Sequence, residues 1–592
     1  MKIYLKNFIA VLFVFAMVVF ASCEPHVTPD GPDKPNDSTQ IDTTGNDTTI
    51  IPVVIDTTTQ FAMQYCDDSV RTALGQDYTS TMYVQSAAIK LTKSQLQAFL
   101  SNYVIKMSVG LHGQDQNAVS TEYKDLKFWI RKSLGGEDLW SQEYTGEIKL
   151  KDWNTMVMDP FFELKEPVSD LYFGYTINAN GLIIGCDGSQ DPDKNGCWIY
   201  DCATKKWMSY TEMGNMSIRC IISGNNMPQN DAALVAIETA EYAKPNVGYT
   251  FVATVENKAL TPLNSFDIVV KASGVEYLRE TVVLSTPLAR NQVCTFFVND
   301  VKLTNAATMD VEYIVDNVNG AKQDDNESDN SIVVKTVVAN NLVDRVVLLE
   351  NTTGDMCSNC PAGHKYIEEA IHAIGEDKFI WMAHHAGYNA GKYTSNQSDT
   401  IARIFYNTQM TYAPGLMIDR TNLLAVGVTT SGTPGGPIFS VNEVASRGML
   451  DEYFRLMQSD MSPIALNVEH SFDASTRNLS VTVKGDILAE ISNRNNLAIG
   501  IALLEDNLEG TQAGIAGKYM HNHVCRDGLV SILGEKVGGS GNTFEFTSSK
   551  KLKDAFKPEN MTIVVWVANK PASMSDCDNY KVYQSQKIKL VK

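Results

Sequence analysis

The chain has 592 residues, 49 of them Lys or Arg and 69 Asp or Glu, giving a formal net charge of −20. Phosphate backbones are bound through cationic surface, so this balance excludes nucleic acid as an expected partner. At roughly 100–200 residues per domain the length exceeds one core and predicts three to five domains, and an apolar share of 44% is that of ordinary globular domains.

The N-terminus has the pattern of a secretory signal: Lys2 and Lys6 precede an unbroken apolar run from Phe8 to Phe20. That run is too short to cross ~30 Å of hydrocarbon. Phe20-Ala21-Ser22-Cys23 follows and resembles a bacterial lipoprotein lipobox, which implies removal of residues 1–22 and lipidation of Cys23. Several acyl chains at ~0.8 kcal/mol per buried CH₂ make a stable anchor, so a membrane is the first expected partner. Glu24 at the next position implies, by the same resemblance, passage to the outer membrane. Residues 23–58 are rich in Pro, Asp, Thr and Asn and read as an extended, flexible linker. Ten further cysteines follow in a chain expected to be exported, where disulfides persist. Cys186, Cys197, Cys202 and Cys220 cluster with their pairing open; Cys66, Cys294, Cys525 and Cys577 are scattered.

The fold class expected is multidomain and mainly β. Residues 59–228 alternate with period two, as in Leu126, Phe128, Ile130 and again in Leu171, Phe173, Tyr175, Ile177, which predicts a β-sandwich of jelly-roll type. "DWNTMVMDPFFEL" and "LYFGYTI", through Trp153, Asn154, Thr155, Phe173, Gly174 and Tyr175, resemble β-sandwich modules of secreted surface proteins and adhesins. Trp129, Trp140, Trp153, Trp198 and Trp207 crowd this segment, where core packing outweighs a sugar-stacking platform. "DGSQDPDKNG" (187–196) spaces Asp187, Asp191 and Asp193 somewhat like a calcium loop, but lacks its bidentate Glu and its glycine position, and reads as an acidic turn. Residues 229–340, with "TFVATVENKALTPLNSFDIVVKASG" and a closing "DDNESDNSIVVKTVV", resemble immunoglobulin-like domains related to bacterial cell-adhesion repeats.

The pattern changes at 341–461. A continuous apolar run at Val346–Leu349, a helix over 361–374 and a strand at Phe379–Met382 make a βαβ unit. Tyr366, Ile367, Ala370, Ile371 and Ile374 share the helix's expected buried stripe. A second helix is expected at about 399–410, and "YAPGLMIDR" turns into a third strand. Residues 462–592 return to period two and predict a C-terminal β-sandwich.

The chemistry concentrates at "GDMCSNCPAGH" (354–364). C-x-x-C before a helix in a βαβ context reads as thioredoxin-like. Cys357 and Cys360 straddle the first helical turn, where the helix's positive end stabilises a thiolate. Pro361 is tolerated there, and Pro414 stands where such a fold sets a cis-proline facing the cysteines. "ENTTGDMCSNCPAGH", "AHHAG", "YAPGLMIDR" and "KYMHNHVCR" resemble the Omp28-related outer-membrane lipoproteins of Bacteroidetes over roughly 342–592. Glu350, Thr353, Gly354, Cys357, Cys360, Pro361, Gly363, His364, Pro414, Arg420, His521, Asn522 and His523 carry the likeness. It implies a thioredoxin-like domain followed by a β-sandwich on an outer-membrane lipoprotein.

Two readings of the pair stand. Asp355 and Glu350 lie nearby with no adjacent Lys or Arg, and negative charge favours the disulfide over the thiolate. A structural staple and a redox pair both fit. A weaker zinc reading would gather His364, His384, His385, His521 and His523. No P-loop, G-x-S-x-G or H-E-x-x-H motif occurs, and no cofactor is expected; the turn-rich "GTPGGP" (432–437) lacks a phosphate-binding Lys. The expected object is a lipid-anchored envelope protein on the periplasmic or cell-surface side. It would be a binding or adhesion protein for a host or glycan surface, with a thioredoxin-like scaffold. The alternative is a thiol–disulfide oxidoreductase acting on exported proteins.

Overall fold

Period-two segments pair into sheets from the first described strand onward. The computed structural model describes residues 55, 57 and 59–591, apart from 76–80, 115–121, 167, 189–192, 203, 388–390, 406–412, 429–436, 493, 538–540, 572 and 574–578. The expected signal peptide, Cys23 and nearly all of the linker lie outside the described residues. So do Asp191, Cys577 and most of the 432–437 loop.

Among the described residues, 60–223 form two six-stranded sheets. Leu171–Ala179 sits between Tyr83–Leu91 and Tyr123–Arg131, antiparallel to both. Phe128, Ile130, Phe173 and Tyr175 point inward to Met107, Val109 and Ile218 of the opposing sheet. The next residue along each strand faces out, and here the tryptophans resolve. Trp129 is fully buried on the outer face, over Gly174, where a Cβ would lie 2.5 Å from its ring. Trp207 packs edge-on at 5.8 Å and the Arg131 guanidinium covers the ring at 3.9 Å. Cys186, Cys197, Cys202 and Cys220 are unpaired thiols; burial pushes Cys66 up to about 11, far from a reactive thiolate.

Residues 232–338 form a second two-sheet unit, with Phe251, Val270, Val298 and Tyr313 in its core. Its smaller sheet turns Val252 and Phe297 toward the helices of the following segment, with Phe297 edge-on to Tyr453 at 5.1 Å.

The rest is built on one nine-stranded mixed sheet. Its first members are β1 (Val347–Thr353), α1 (Cys360–Ile374) and β2 (Phe379–His385), with β1 and β2 parallel. After α2 (Asn396–Ile404), β3 (Gly415–Ile418) pairs antiparallel with β1. The second helix starts at Asn396, ahead of the expected 399, and residues 406–410 of that expectation are not among those described. α1 buries Cys360, Gly363, Ile367 and Ala370; Tyr366 is exposed, at the margin of this stripe and about 100° around the axis from Ile367.

Beyond β2 the sheet continues through β4 (Leu497–Glu505), β5 (Val524–Gly528), β6 (Met561–Asn569) and β7 (Val582–Lys589), in the spatial order β2-β5-β4-β6-β7. The Ala383 N–H of β2 donates to the His523 carbonyl at 2.8 Å. The division expected at 461/462 therefore falls inside one sheet. An uncovered β2 would present unpaired backbone groups, and β5 covers them. A three-stranded sheet, Ile464–Asp473, Asn478–Ile487 and Thr543–Lys551, packs on β4 and β6 through Leu479, Val481, Ile501 and Val565.

Candidate functional site

Cys357 and Cys360 form a disulfide with Cα atoms 5.5 Å apart. Cys360 opens α1 and Pro361 fills its first turn, where a missing N–H leaves no bond unmade. The Ala413–Pro414 peptide is cis, and the Ala413 carbonyl oxygen lies 3.5 Å from Cys357 Sγ. Gly363 permits the approach of α1 to Pro414: a Cβ there would sit 2.8 Å from the proline Cβ and Cγ.

The pair is sealed. Cys357 is 2% exposed and Cys360 fully buried. The cover comes from the C-terminal part: Gln512 Nε2 donates to the Cys357 carbonyl at 2.6 Å and to the Gly354 carbonyl at 3.1 Å. The Ala513 N–H donates to the Asp355 carbonyl at 2.8 Å. Nothing in the local sequence around the cysteines announces Gln512, which arrives from a Gly-rich turn some 150 residues later. Asp355 turns away, its carboxylate accepting from the Lys392 N–H at 3.2 Å.

Glu350 was expected to burden the cysteines with negative charge. It lies on β1 at 1% exposure and is neutralised from afar. Arg420 Nε and Nη2 donate to its two oxygens at 2.7 and 2.9 Å, and His384 Nε2 stands 3.3 Å from it. Burial alone would raise this carboxyl; the Arg420 guanidinium and the His384 ring outweigh it and hold it down at about 2. His384 is raised, against the effect of burial, by Cys525 and Glu350, and its Nδ1 lies 3.0 Å from Ser398 Oγ.

The five histidines do not share one site. His384 and His385 are strand neighbours and point to opposite faces. His384 joins Glu350 inside, whereas His385 packs edge-on to Tyr393 at 5.3 Å and His521 at 5.4 Å. His364 Nε2 is 3.0 Å from Thr353 Oγ1, and its ring meets Trp381 at 5.4 Å. His523 also packs on Trp381, its ring centroid 4.9 Å away. Burial, then the neighbouring imidazoles, pulls His364 down to about 4 and His385 to about 3, so both rings are neutral at pH 7. Among the described residues no three His, Cys, Asp or Glu side chains are grouped to hold a metal ion. Of the expected gathering, His364, His385, His521 and His523 lie against aromatic rings, and His384 is turned to Glu350.

Fold and site together define a multidomain, β-rich protein with a disulfide-bearing βαβ element set into its C-terminal sheet. The family described as outer membrane protein Omp28 matches residues 431–590, and this likeness suits an envelope protein. No curated protein matches the chain. HBP35 of Porphyromonas gingivalis is similar at 16% identity and TM-score 0.31, over 42% of this chain and 76% of that one. A putative cell surface protein from Methanosarcina acetivorans is similar at 22% identity and TM-score 0.16, over 19% and 93%. The CARDB domain of the PF1109 protein from Pyrococcus furiosus, solved in complex with di-metal ions, is similar at 18% identity and TM-score 0.16, over 19% and 91%. Structural likeness this slight informs neither ligand nor activity.

Proposed function

We propose that the chain is an outer-membrane-anchored envelope lipoprotein, held through Cys23 on its linker, that acts as a surface binding or adhesion protein. Residues 341–461 are read as a thioredoxin-like scaffold whose C-x-x-C disulfide is structural, and residues 229–340 as an immunoglobulin-like unit. The ligand class is a host or glycan surface met by the units ahead of residue 341. One observation carries the scaffold reading: the disulfide is buried beneath Gln512, which hydrogen-bonds the Cys357 carbonyl at 2.6 Å. An exchanging thiol must reach a sulfur in line, and a covered sulfur reacts only when its cover opens.

The second reading, a thiol–disulfide oxidoreductase acting on exported proteins, is favoured by a disulfide bridging into the first turn of α1 beside Pro414. It requires the 508–517 loop to lift. One experiment separates the two. The folded full chain is treated with dithiothreitol, and alkylation at Cys357 is followed by mass spectrometry alongside global unfolding. The scaffold reading expects reduction no faster than unfolding, and no mixed disulfides trapped by Cys360→Ser. Rapid reduction of the folded chain with trapped partners would establish the oxidoreductase instead. Protease shaving of intact cells reads which face of the outer membrane carries the protein.

A further inference from the structure

At the junction of the first two units lies a cavity of about 330 Å³ lined on one side by Asp231, Asn326 and Asp329 and on the other by Phe61, Leu91 and Phe99. Asp231 is 1% exposed, and neither of its carboxylate oxygens has a hydrogen-bond partner. Asp329 Oδ1, Asn330 Oδ1 and Asn326 Nδ2 are likewise buried without partners. Buried polar groups are ordinarily satisfied, and an unpaired buried carboxylate is among the costliest exceptions. Four of these five atoms, on Asp231, Asn326 and Asp329, belong to residues that line one cavity, and the fifth is on the residue after Asp329.

The carboxylates of Asp324 and Asp325 are spoken for, whereas Gln64 Oε1, also on the cavity lining, is buried without a partner. Asp325 Oδ2 accepts the Asn230 N–H at 2.7 Å, and Asp324 Oδ2 accepts the Ala232 N–H at 3.2 Å. Asn326 Oδ1 accepts from Ser328 Oγ at 2.6 Å; turning the amide over keeps that bond, with Ser328 as acceptor, and presents Oδ1 to the cavity. Lys258 also lines the cavity, but its ammonium is paired with Glu256 at 2.6 Å. Asp231, Asp324, Asp325 and Asp329 thus face a single, already engaged lysine.

We propose that this cluster is a calcium site, with Asp231 and Asp329 as carboxylate ligands and the Asn326 and Asn330 amide oxygens beside them. Calcium takes six to eight oxygen ligands and accepts amides, main-chain carbonyls and water among them. Two carboxylates and two amides therefore suffice without a third acidic or histidine ligand. Divalent charge cancels the two buried carboxylates and supplies the partner that the Asp231, Asp329 and Asn330 oxygens lack. The donors come from the 324–330 loop and from Asp231, just after Met227 and Pro228, where the chain leaves the first unit. An ion bound there pins the second unit's entry strand to that loop beside the hinge with the first.

The test is calorimetric titration of CaCl₂ into the full chain after treatment with a chelator, paired with thermal unfolding at each calcium level. Expected is binding of one calcium per chain with a dissociation constant of about 1 mM or tighter, together with a rise in unfolding midpoint. Asp231→Asn is expected to weaken binding at least tenfold and to abolish the calcium-dependent shift. Asp300→Asn, on a surface carboxylate paired with Lys302 at 2.8 Å, serves as control and is expected to leave both unchanged. Asp231→Asn removes an uncompensated buried charge, so the metal-free variant is expected to fold at least as stably as the parent. Asp329→Asn gives an independent reading should that variant fail to fold. No binding up to 10 mM calcium, or parental binding by either folded variant, overturns the site and leaves Asp231 as a buried protonated acid.

Discussion

Arg420→Met isolates the energetics of the core beside the disulfide. The substitution keeps the aliphatic stem but removes both hydrogen bonds to Glu350, at 2.7 and 2.9 Å, from a pair fully shielded from water. The Glu350 carboxyl lies at about 2 against its ordinary 4.5, a difference worth about 3 kcal/mol at neutral pH. Breaking one half of a buried pair costs about 3–5 kcal/mol, in the same range. His384 remains at 3.3 Å and sets the expectation at the lower end. The sign with pH follows from the depressed value: the stabilisation is full above the unfolded value near 4.5 and is lost as pH falls toward 2. The gap between parent and variant is then about 3 kcal/mol at pH 7 and about 2 kcal/mol smaller at pH 3. The assay is urea unfolding of the full chain at both pH values, with hydrogen exchange at 347–353 and 561–569 assigning the transition to this sheet. Adding Glu350→Gln to the variant removes the stranded charge and is expected to recover most of the loss. A gap below about 1 kcal/mol, a gap unchanged between the two pH values, or no recovery in the double variant would refute the reasoning.

Three further expectations can be checked. Gly363→Ala drives a methyl to within 2.8 Å of Pro414 and is expected to cost about 1–3 kcal/mol in urea unfolding, as overpacking does elsewhere. Gln512→Ala removes the two bonds that close the loop over Cys357, so reduction of the disulfide in the folded chain is expected to quicken several-fold in a timed dithiothreitol assay. His364 and His385 are held neutral, at about 4 and about 3, against 6.5 when unfolded. The unfolded chain therefore takes up protons first, stability falls as pH drops below about 6.5 and levels off near the folded values, and His385→Phe flattens part of that slope in thermal unfolding between pH 7 and pH 4.

What the sequence disclosed followed the range of the interactions concerned. α1 and its flanking strands were legible because a 3.6-residue stripe and an apolar run are local signals, and C-x-x-C marks the helix start by spacing alone. Glu350 was legible as a charge near the cysteines, but its partner Arg420, which neutralises it, lies 70 residues on. The boundary drawn at 461/462 followed a change from helical to strand pattern. Pattern records which residues alternate, not which strand edges meet, so the joining of β2 to β5 left no trace in it. The five tryptophans of the first unit had two uses in prospect; Gly174 beneath Trp129, with Arg131 over its ring, shows that ring spent on packing. Asp231 drew no notice, because a lone aspartate at a strand start looks like a turn residue until its burial is known.

The guanidinium of Arg345, just ahead of β1, reaches Asp460 and the Val582 carbonyl, 237 residues further on. Lys581 next door bonds Glu241 of the second unit at 3.1 Å. A ribosome delivers the first of these partners long before the last, so this seam of the sheet waits, unclosed, until Val582 has emerged. Synthesis that stops short of Val582 leaves the Arg345 guanidinium with Asp419 and Asp460 but without its main-chain acceptor, and the sheet without its closing seam.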